Sequence, residues 1–296
     1  MNGFSRIALI GFGEVGQTLA TDLMAAGVAV SAFDILFAQK DSVPSRALEK
    51  IPLRKAASAA DAANGVELVI SAVTAASDLV AARSVAPIIP PGAFYLDLNS
   101  VSPGMKQSGA EAIESAGGRY VEAAVMTPIA PKRIASPMLL GGPHAAEFLD
   151  RAEPLGFRAE VFSQIIGQAS AVKMCRSVII KGTEALLTEA MLAARHYGVE
   201  KTVLDSLSDL LPVGDWQKLA RYFISRSLEH GVRRAEEMRE AAATLAEAGV
   251  EPLMARATAE REDWAAAYKH ALKETDLGAL LDAIRSAMNV TAKAAE

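Results

Sequence analysis

The sequence predicts a doubly wound α/β domain with a mostly parallel sheet, followed by an all-α domain. Three observations carry this. Up to about residue 164, short β-branched or aromatic runs alternate with amphipathic stretches of helical length, as in βαβ units around a parallel sheet. After Gln164 no such run reappears, and segments rich in Ala, Leu, Glu, Arg and Met repeat with a period near 3.6. The chain has 296 residues, about half of them hydrophobic, which is enough for two cores. The expected domains are therefore residues 1–164 and 165–296.

Each strand is expected where an apolar run ends at a turn signal: Ile7–Ile10, Val28–Phe33, Glu67–Val73, Phe94–Leu98, Tyr120–Val125, Pro137–Leu140 and Ala159–Phe162. Between them, Val15–Ala26, Ser77–Pro87, Pro103–Ala116 and Ala145–Leu155 carry helical spacing. In the second half, one long helix is expected from Ser170 to His196, stopped by Gly198. Further helices are expected over Lys201–Leu211, Asp215–Glu229, Arg233–Ala248, Pro252–Lys273 and Leu277–Met288.

Composition narrows the function. The net charge is −5 with no basic block, so no nucleic-acid partner is expected, because a phosphate-binding face needs clustered Lys and Arg. Cys175 is the single cysteine, and no His, Asp and Glu arrangement has ligand spacing, so neither a disulfide nor a metal is expected. No run reaches the roughly 20 apolar residues of a membrane span. The first apolar run breaks at Gly11, which argues against a secretory leader and for a cytoplasmic protein.

The stretch "IGFGEVGQ" sets Gly11, Gly13 and Gly16 in the GxGxxG spacing between a strand and a helix. The first glycine permits a tight turn, the second lets backbone approach a pyrophosphate, and the third lets helix and strand pack closely. Phe12, Glu14 and Val15 complete the loop. Asp34 ends the next strand, where an acidic side chain accepts a ribose hydroxyl pair; a simple strand-end cap is the alternative. The loop predicts a Rossmann-type dinucleotide site. No cation follows Asp34 directly, so NAD is favoured over NADP, although Lys40 is near enough in sequence to meet a 2′-phosphate. Val73, Thr74 and Asn99 leave later strands at the carboxyl edge that borders such a site.

In the long helix, Lys173, Arg176, Ser177 and Lys181 share one face, while Val172, Cys175, Val178 and Ile179 lie opposite and suit a core. Like charges at this spacing repel, so an anion is expected to compensate them. Hydride transfer from an alcohol needs a base for the hydroxyl proton. A lysine fills that role when burial and neighbouring cations lower its affinity for the proton. Lys173 and Lys181 as solvated surface lysines are the alternative.

Four stretches, in order, resemble the β-hydroxyacid dehydrogenase family, which includes 3-hydroxyisobutyrate and 6-phosphogluconate dehydrogenases. "IALIGFGEVG" resembles its cofactor fingerprint. "LDLNSVSPGMK" resembles its substrate loop and implies that Ser100, Val101 and Ser102 meet substrate. "VEAAVMTPIA…PMLLGG" resembles its D-A-P-V-S-G-G stretch and adds Thr127. "GQASAVKMCRS" resembles its G-x-G-x-x-x-K-x-x-N-N helix and makes Lys173 the catalytic lysine. The chain departs from the family at Met126, Thr127 and Pro128 and at Arg176 and Ser177, which are substrate-gripping positions. The resemblance implies an NAD(P)-dependent oxidoreductase acting on a small anionic β-hydroxy or β-keto acid, with decarboxylation as a possible second step. Arg176, Ser177 and Lys181 would join the substrate contacts, and the C-terminal domain would be 6-phosphogluconate-dehydrogenase-like and form a homodimer. An imine reductase and a non-catalytic dinucleotide sensor are the rival readings. His230, Arg233 and Arg234 suggest a second anion-binding face or a solvated one, and Cys175 is expected to be buried.

Overall fold

The structure is a computed structural model that describes residues 3–207, 211–212 and 214–294. It divides into two compact units, Met1–Met174 and Cys175–Glu296.

The first unit is built on eight strands: β1 (Arg6–Ile10), β2 (Ala29–Phe33), β3 (Arg54–Lys55), β4 (Leu68–Ser71), β5 (Phe94–Asp97), β6 (Arg119–Val125), β7 (Met138–Gly141) and β8 (Ala159–Ser163). They form one sheet in the order β3-β2-β1-β4-β5-β6-β7-β8. Every pairing is parallel except the antiparallel β6–β7 ladder. Chain order reverses between β1 and β4, and the carboxyl ends at such a switch are where α/β sheets bind ligands. The helices are α1 (Glu14–Ala25), α2 (Val43–Ala47), α3 (Ala59–Ala63), α4 (Asp78–Val85), α5 (Pro103–Glu114) and α6 (Ala145–Ala152). Ile7 and Leu9 of β1 enter one core with Leu19, Leu23 and Phe94, while Ala8 and Ile10 enter a second with Val69, Tyr95 and Tyr120. Successive side chains take opposite faces, and both faces are covered, so β1 reads as an unbroken apolar run.

All seven expected strands are present. The eighth, β3, is additional: it has two exposed residues at the sheet edge, too short for an alternating pattern. The short α2 and α3 are also additional. They are started by Ser42 and Ser58, whose side chains accept from the N–H groups of Ser45 and Asp61.

From residue 168 the chain is helical: α7 (Gln168–Tyr197), α8 (Glu200–Ser206), α9 (Trp216–Glu247), α10 (Leu253–Ala266) and α11 (Leu277–Ala294). The second unit's core gathers Leu187, Met191, Ala220, Ile224, Leu228, Leu280 and Ile284 from α7, α9 and α11. Two expected helices, Asp215–Glu229 and Arg233–Ala248, are one: α9 runs through Gly231 without a break. Residues 269–273 form a separate 3₁₀ turn rather than an extension of α10. The helix expected over Lys201–Leu211 ends earlier as α8, and its positions 208–210 lie outside the described residues.

The buried face of α7 differs from the one expected, although Arg176 is exposed as a surface cation would be. Ile179 is 69 % exposed and Cys175 is exposed, while Ser177, Lys181, Glu184 and Thr188 are buried. The reason is a charge cluster inside the second unit. Lys181 pairs with Glu237, Arg234 pairs with Glu184 and lies 3.3 Å from Glu262, and Ser227 donates to Glu262 at 3.1 Å. A helix whose polar groups find buried partners of opposite sign can turn its polar face inward.

Candidate active site

Gly11 adopts φ +95°, and a Cβ there would lie 2.3 Å from the Ala72 carbonyl oxygen. A Cβ on Gly16 would lie 2.2 Å from the Gly11 carbonyl oxygen. These two glycines are required by packing alone. Gly13 is different. It precedes α1 with no side-chain cap, and a Cβ on it would meet nothing within 4 Å. The space beside Gly13 and the absence of a side-chain cap at the start of α1 fit a pyrophosphate. Phe12 turns its ring into the core against Phe37 and contributes only backbone to the loop. Glu14 is exposed and Val15 packs on the core.

Asp34 is half-buried, and its two oxygens accept from the N–H groups of Phe12 (2.7 Å) and Leu36 (2.8 Å). It ties the glycine loop to the end of β2. Each oxygen keeps a lone pair for a ribose hydroxyl.

Asn99 joins the two loops on the other side of the switch. Its Oδ1 accepts from Val73 N–H at 2.7 Å, and its Nδ2 donates to Ser71 (2.9 Å) and Asp78 (2.6 Å). Both amide hydrogens are taken, so Asn99 acts by holding the Val73–Thr74 loop in place. Thr74 is exposed and starts a 3₁₀ turn.

Beneath this lies a polar cluster that sequence reasoning missed. Asp97 pairs with Lys106 at 2.8 Å, both 1 % exposed, and accepts from the Tyr120 hydroxyl at 2.5 Å. Burial, and then the charge of Asp97, push the Asp78 carboxyl up to about 7. Burial raises the Tyr120 phenol as well. A signal was present: Asp97 in "FYLDL" and Glu122 in "YVEAAV" are charges inside strands buried on both faces, and each needs a buried partner.

In the loop after β5, Ser100 is half-buried and accessible, Val101 is fully buried, and the Ser102 hydroxyl caps α5 through Met105 N–H at 3.3 Å. Thr127 and Pro128, after β6, are exposed. Lys173 lies on the first turns of α7, within the same compact unit as the glycine loop.

A family model described as the NAD binding domain of 6-phosphogluconate dehydrogenase matches residues 6–155, just over half the chain. The chain belongs to the β-hydroxyacid dehydrogenase family. A second match, over residues 194–265, is to a domain of unknown function (DUF1932). A conserved hypothetical protein from Sinorhizobium meliloti 1021 is similar at 36 % identity with a TM-score of 0.72, covering 94 % of this chain and 96 % of that one. A second solved structure, the conserved protein MTH1747, is 32 % identical with a TM-score of 0.69, covering 88 % and 96 %; it is described as structurally similar to 3-hydroxyacid dehydrogenases. An NAD-dependent L-serine dehydrogenase from Pseudomonas aeruginosa is 25 % identical over 222 residues, 71 % of each chain. This β-hydroxyacid dehydrogenase is thus an NAD(P)-dependent oxidoreductase acting on CH–OH.

The three substrate contacts expected on α7 differ in exposure. Lys181 is buried and its compensating anion is the half-buried Glu237. Arg176 is exposed and Ser177 is 9 % exposed. Arg234 belongs to the buried cluster, whereas Arg233 pairs with Glu237 at 3.0 Å and the His230 ring nitrogen lies 2.9 Å from the Arg226 guanidinium. The three residues therefore do not form one face. Among the described residues no group of three His, Cys, Asp or Glu side chains is placed to hold a metal, and no helix is long and apolar enough to cross a membrane.

Proposed function

We propose that this chain oxidises a small carboxylate bearing a β-hydroxyl group, with Lys173 as the general base and Ser100 among the substrate contacts. The observation that carries the reading is covalent placement: Lys173 leaves the loop region at the start of α7, in the compact unit that holds Gly13, Asp34 and Ser100. When bound, NAD(P)⁺ supplies the hydride acceptor. The chain's own part is to hold the acid, take the hydroxyl proton on the uncharged Lys173 amine, and keep water out. Thr127, in the same unit as Ser100, is accessible and suits a carboxylate. Asp34 favours NAD, because its carboxylate repels a 2′-phosphate. L-serine, the substrate in a relative's name, is such a β-hydroxy acid. Oxidation of this class gives a β-keto acid, which can then lose CO₂ without a further redox partner. We place the enzyme in the cytoplasm as a homodimer through the helical unit, where Ile179 and Leu186 of α7 and Tyr222 and Val232 of α9 are exposed apolar side chains.

Replacing Lys173 by Ala tests the base. Turnover of L-serine or another β-hydroxy acid should fall by roughly 10²–10⁴-fold, with NADH affinity retained. Wild-type turnover in K173A, or activity on imines alone, would remove this assignment.

A further inference from the structure

Glu122 lies on β6, fully buried. Its Oε1 accepts from the N–H groups of Gly167 (2.8 Å) and Ala169 (3.1 Å), the donors that open α7. Its Oε2 has no hydrogen-bond partner among the described residues. The slot exists because residue 141 is glycine: a Cβ there would lie 2.2 Å from Oε1. An exposed Ser, Thr or Asp at the N-cap satisfies a helix start at lower cost. Here a carboxylate is instead held in the interior, where burial raises its proton affinity against the pull of Lys106 and the α7 N–H groups.

Two more ties meet at the same turn. The Ser170 hydroxyl donates to the Val101 carbonyl. Gly167, at φ +99°, lies so close to Pro103 that a Cβ would approach it to 2.9 Å. The first turn of α7 is therefore fixed both to β6 and to the 101–103 segment that follows Ser100. Lys173 is four residues after Ala169 and three after Ser170, on the helix face next to the anchored ones.

We infer that Glu122 is a positioning residue for Lys173: with Ser170 it clamps the opening turn of α7 against the loop after β5 and so sets where the lysine backbone stands relative to Ser100. The inference rests on the reading of Lys173 as the base.

The test compares K173A, E122Q, E122L and S170A in the full-length protein. The readouts are kcat and KM with NAD⁺ and L-serine, NADH affinity, melting temperature, and the rate of reductive methylation of Lys173 relative to exposed Lys40 by peptide mass spectrometry. E122L removes the acceptor and should lower kcat by roughly 10- to 100-fold, as displacement of a reacting group by about 1 Å does, with NADH affinity unchanged. Its Lys173 methylation rate should shift by about threefold or more, a readout that needs no substrate. E122Q keeps an acceptor oxygen and should recover most of the turnover and the wild-type methylation rate, while S170A should move both readouts in the direction of E122L. A lowered melting temperature in E122L with unchanged kcat and unchanged Lys173 reactivity would make Glu122 a structural cap and overturn the inference. Should E122L fail to fold, S170A decides: wild-type kcat and Lys173 reactivity in it overturn the clamp. An inactive K173A beside a fully active E122L defeats the positioning role alone, and an active K173A defeats the underlying reading.

Discussion

Gly11, Gly13 and Gly16 look alike in sequence but answer to different demands. Gly11 and Gly16 would clash with backbone if they carried a Cβ, so they serve the fold. Gly13 has a φ of −74° and free space around its missing Cβ, so nothing in the protein requires glycine there. Gly13→Ala should leave the melting temperature unchanged and weaken NADH by about tenfold or more, the effect of forcing one methyl into a close contact. Isothermal titration beside a thermal melt checks this; a large loss of stability with unaltered NADH affinity would contradict it. The spacing is legible in part because backbone geometry and packing restrict Gly11 and Gly16 to one residue type. The places of Asp78 and Glu122 are not, because their partners lie 21 to 47 residues away in the chain and only the folded sheet brings them together.

The same limit decides which elements can be read ahead. Strands buried on both faces announce themselves as apolar runs, and all seven expected strands are found, although β8 lies largely exposed at the sheet edge. β3 has none. For helices, spacing shows where α7 lies but names the wrong inner face, because apolarity alone does not fix which side turns inward. Lys181, Glu184, Arg234, Glu237 and Glu262 are individually unremarkable surface residues in sequence, yet together they make a set of opposing charges, all buried except the half-buried Glu237. Gly231 in α9 reads as a break for the usual reason, its low helix propensity. Its real role is contact: a Cβ there would lie 2.3 Å from the Glu262 carbonyl oxygen and 3.0 Å from the Ala266 nitrogen, both in α10. Gly231→Ala should therefore destabilise by about 1–3 kcal/mol through overpacking, against a gain of at most about 1 kcal/mol from helix propensity. Urea unfolding gives the sign directly, and a stabilised variant would show that α9 and α10 do not pack this closely.

Across the whole molecule, each unit buries ionisable groups that its fold must neutralise: Asp78, Asp97, Lys106 and Glu122 in the first, and Lys181, Glu184, Arg234 and Glu262 in the second. Burial raises the Glu262 carboxyl and lowers the Lys181 amine, so neither unit is indifferent to pH. Asp78 gives the clearest case. Burial and the Asp97 charge raise it, Lys106 and the Asn99 hydrogen bond oppose them, and it titrates at about 7 rather than 3.8. Between these values the folded chain keeps a proton that the unfolded chain has released. Stability must then fall as pH rises through this window, and level off above about 7. Asp78→Asn stays uncharged throughout and can still accept from Asn99 through its amide oxygen. Relative to the variant, the wild-type protein should lose about 1–2 kcal/mol between pH 5 and 7, read as diverging melting temperatures across that range. Parallel curves would mean that Asp78 is already ionised in the fold. Asn99 would then hold the Val73 loop equally well at either pH.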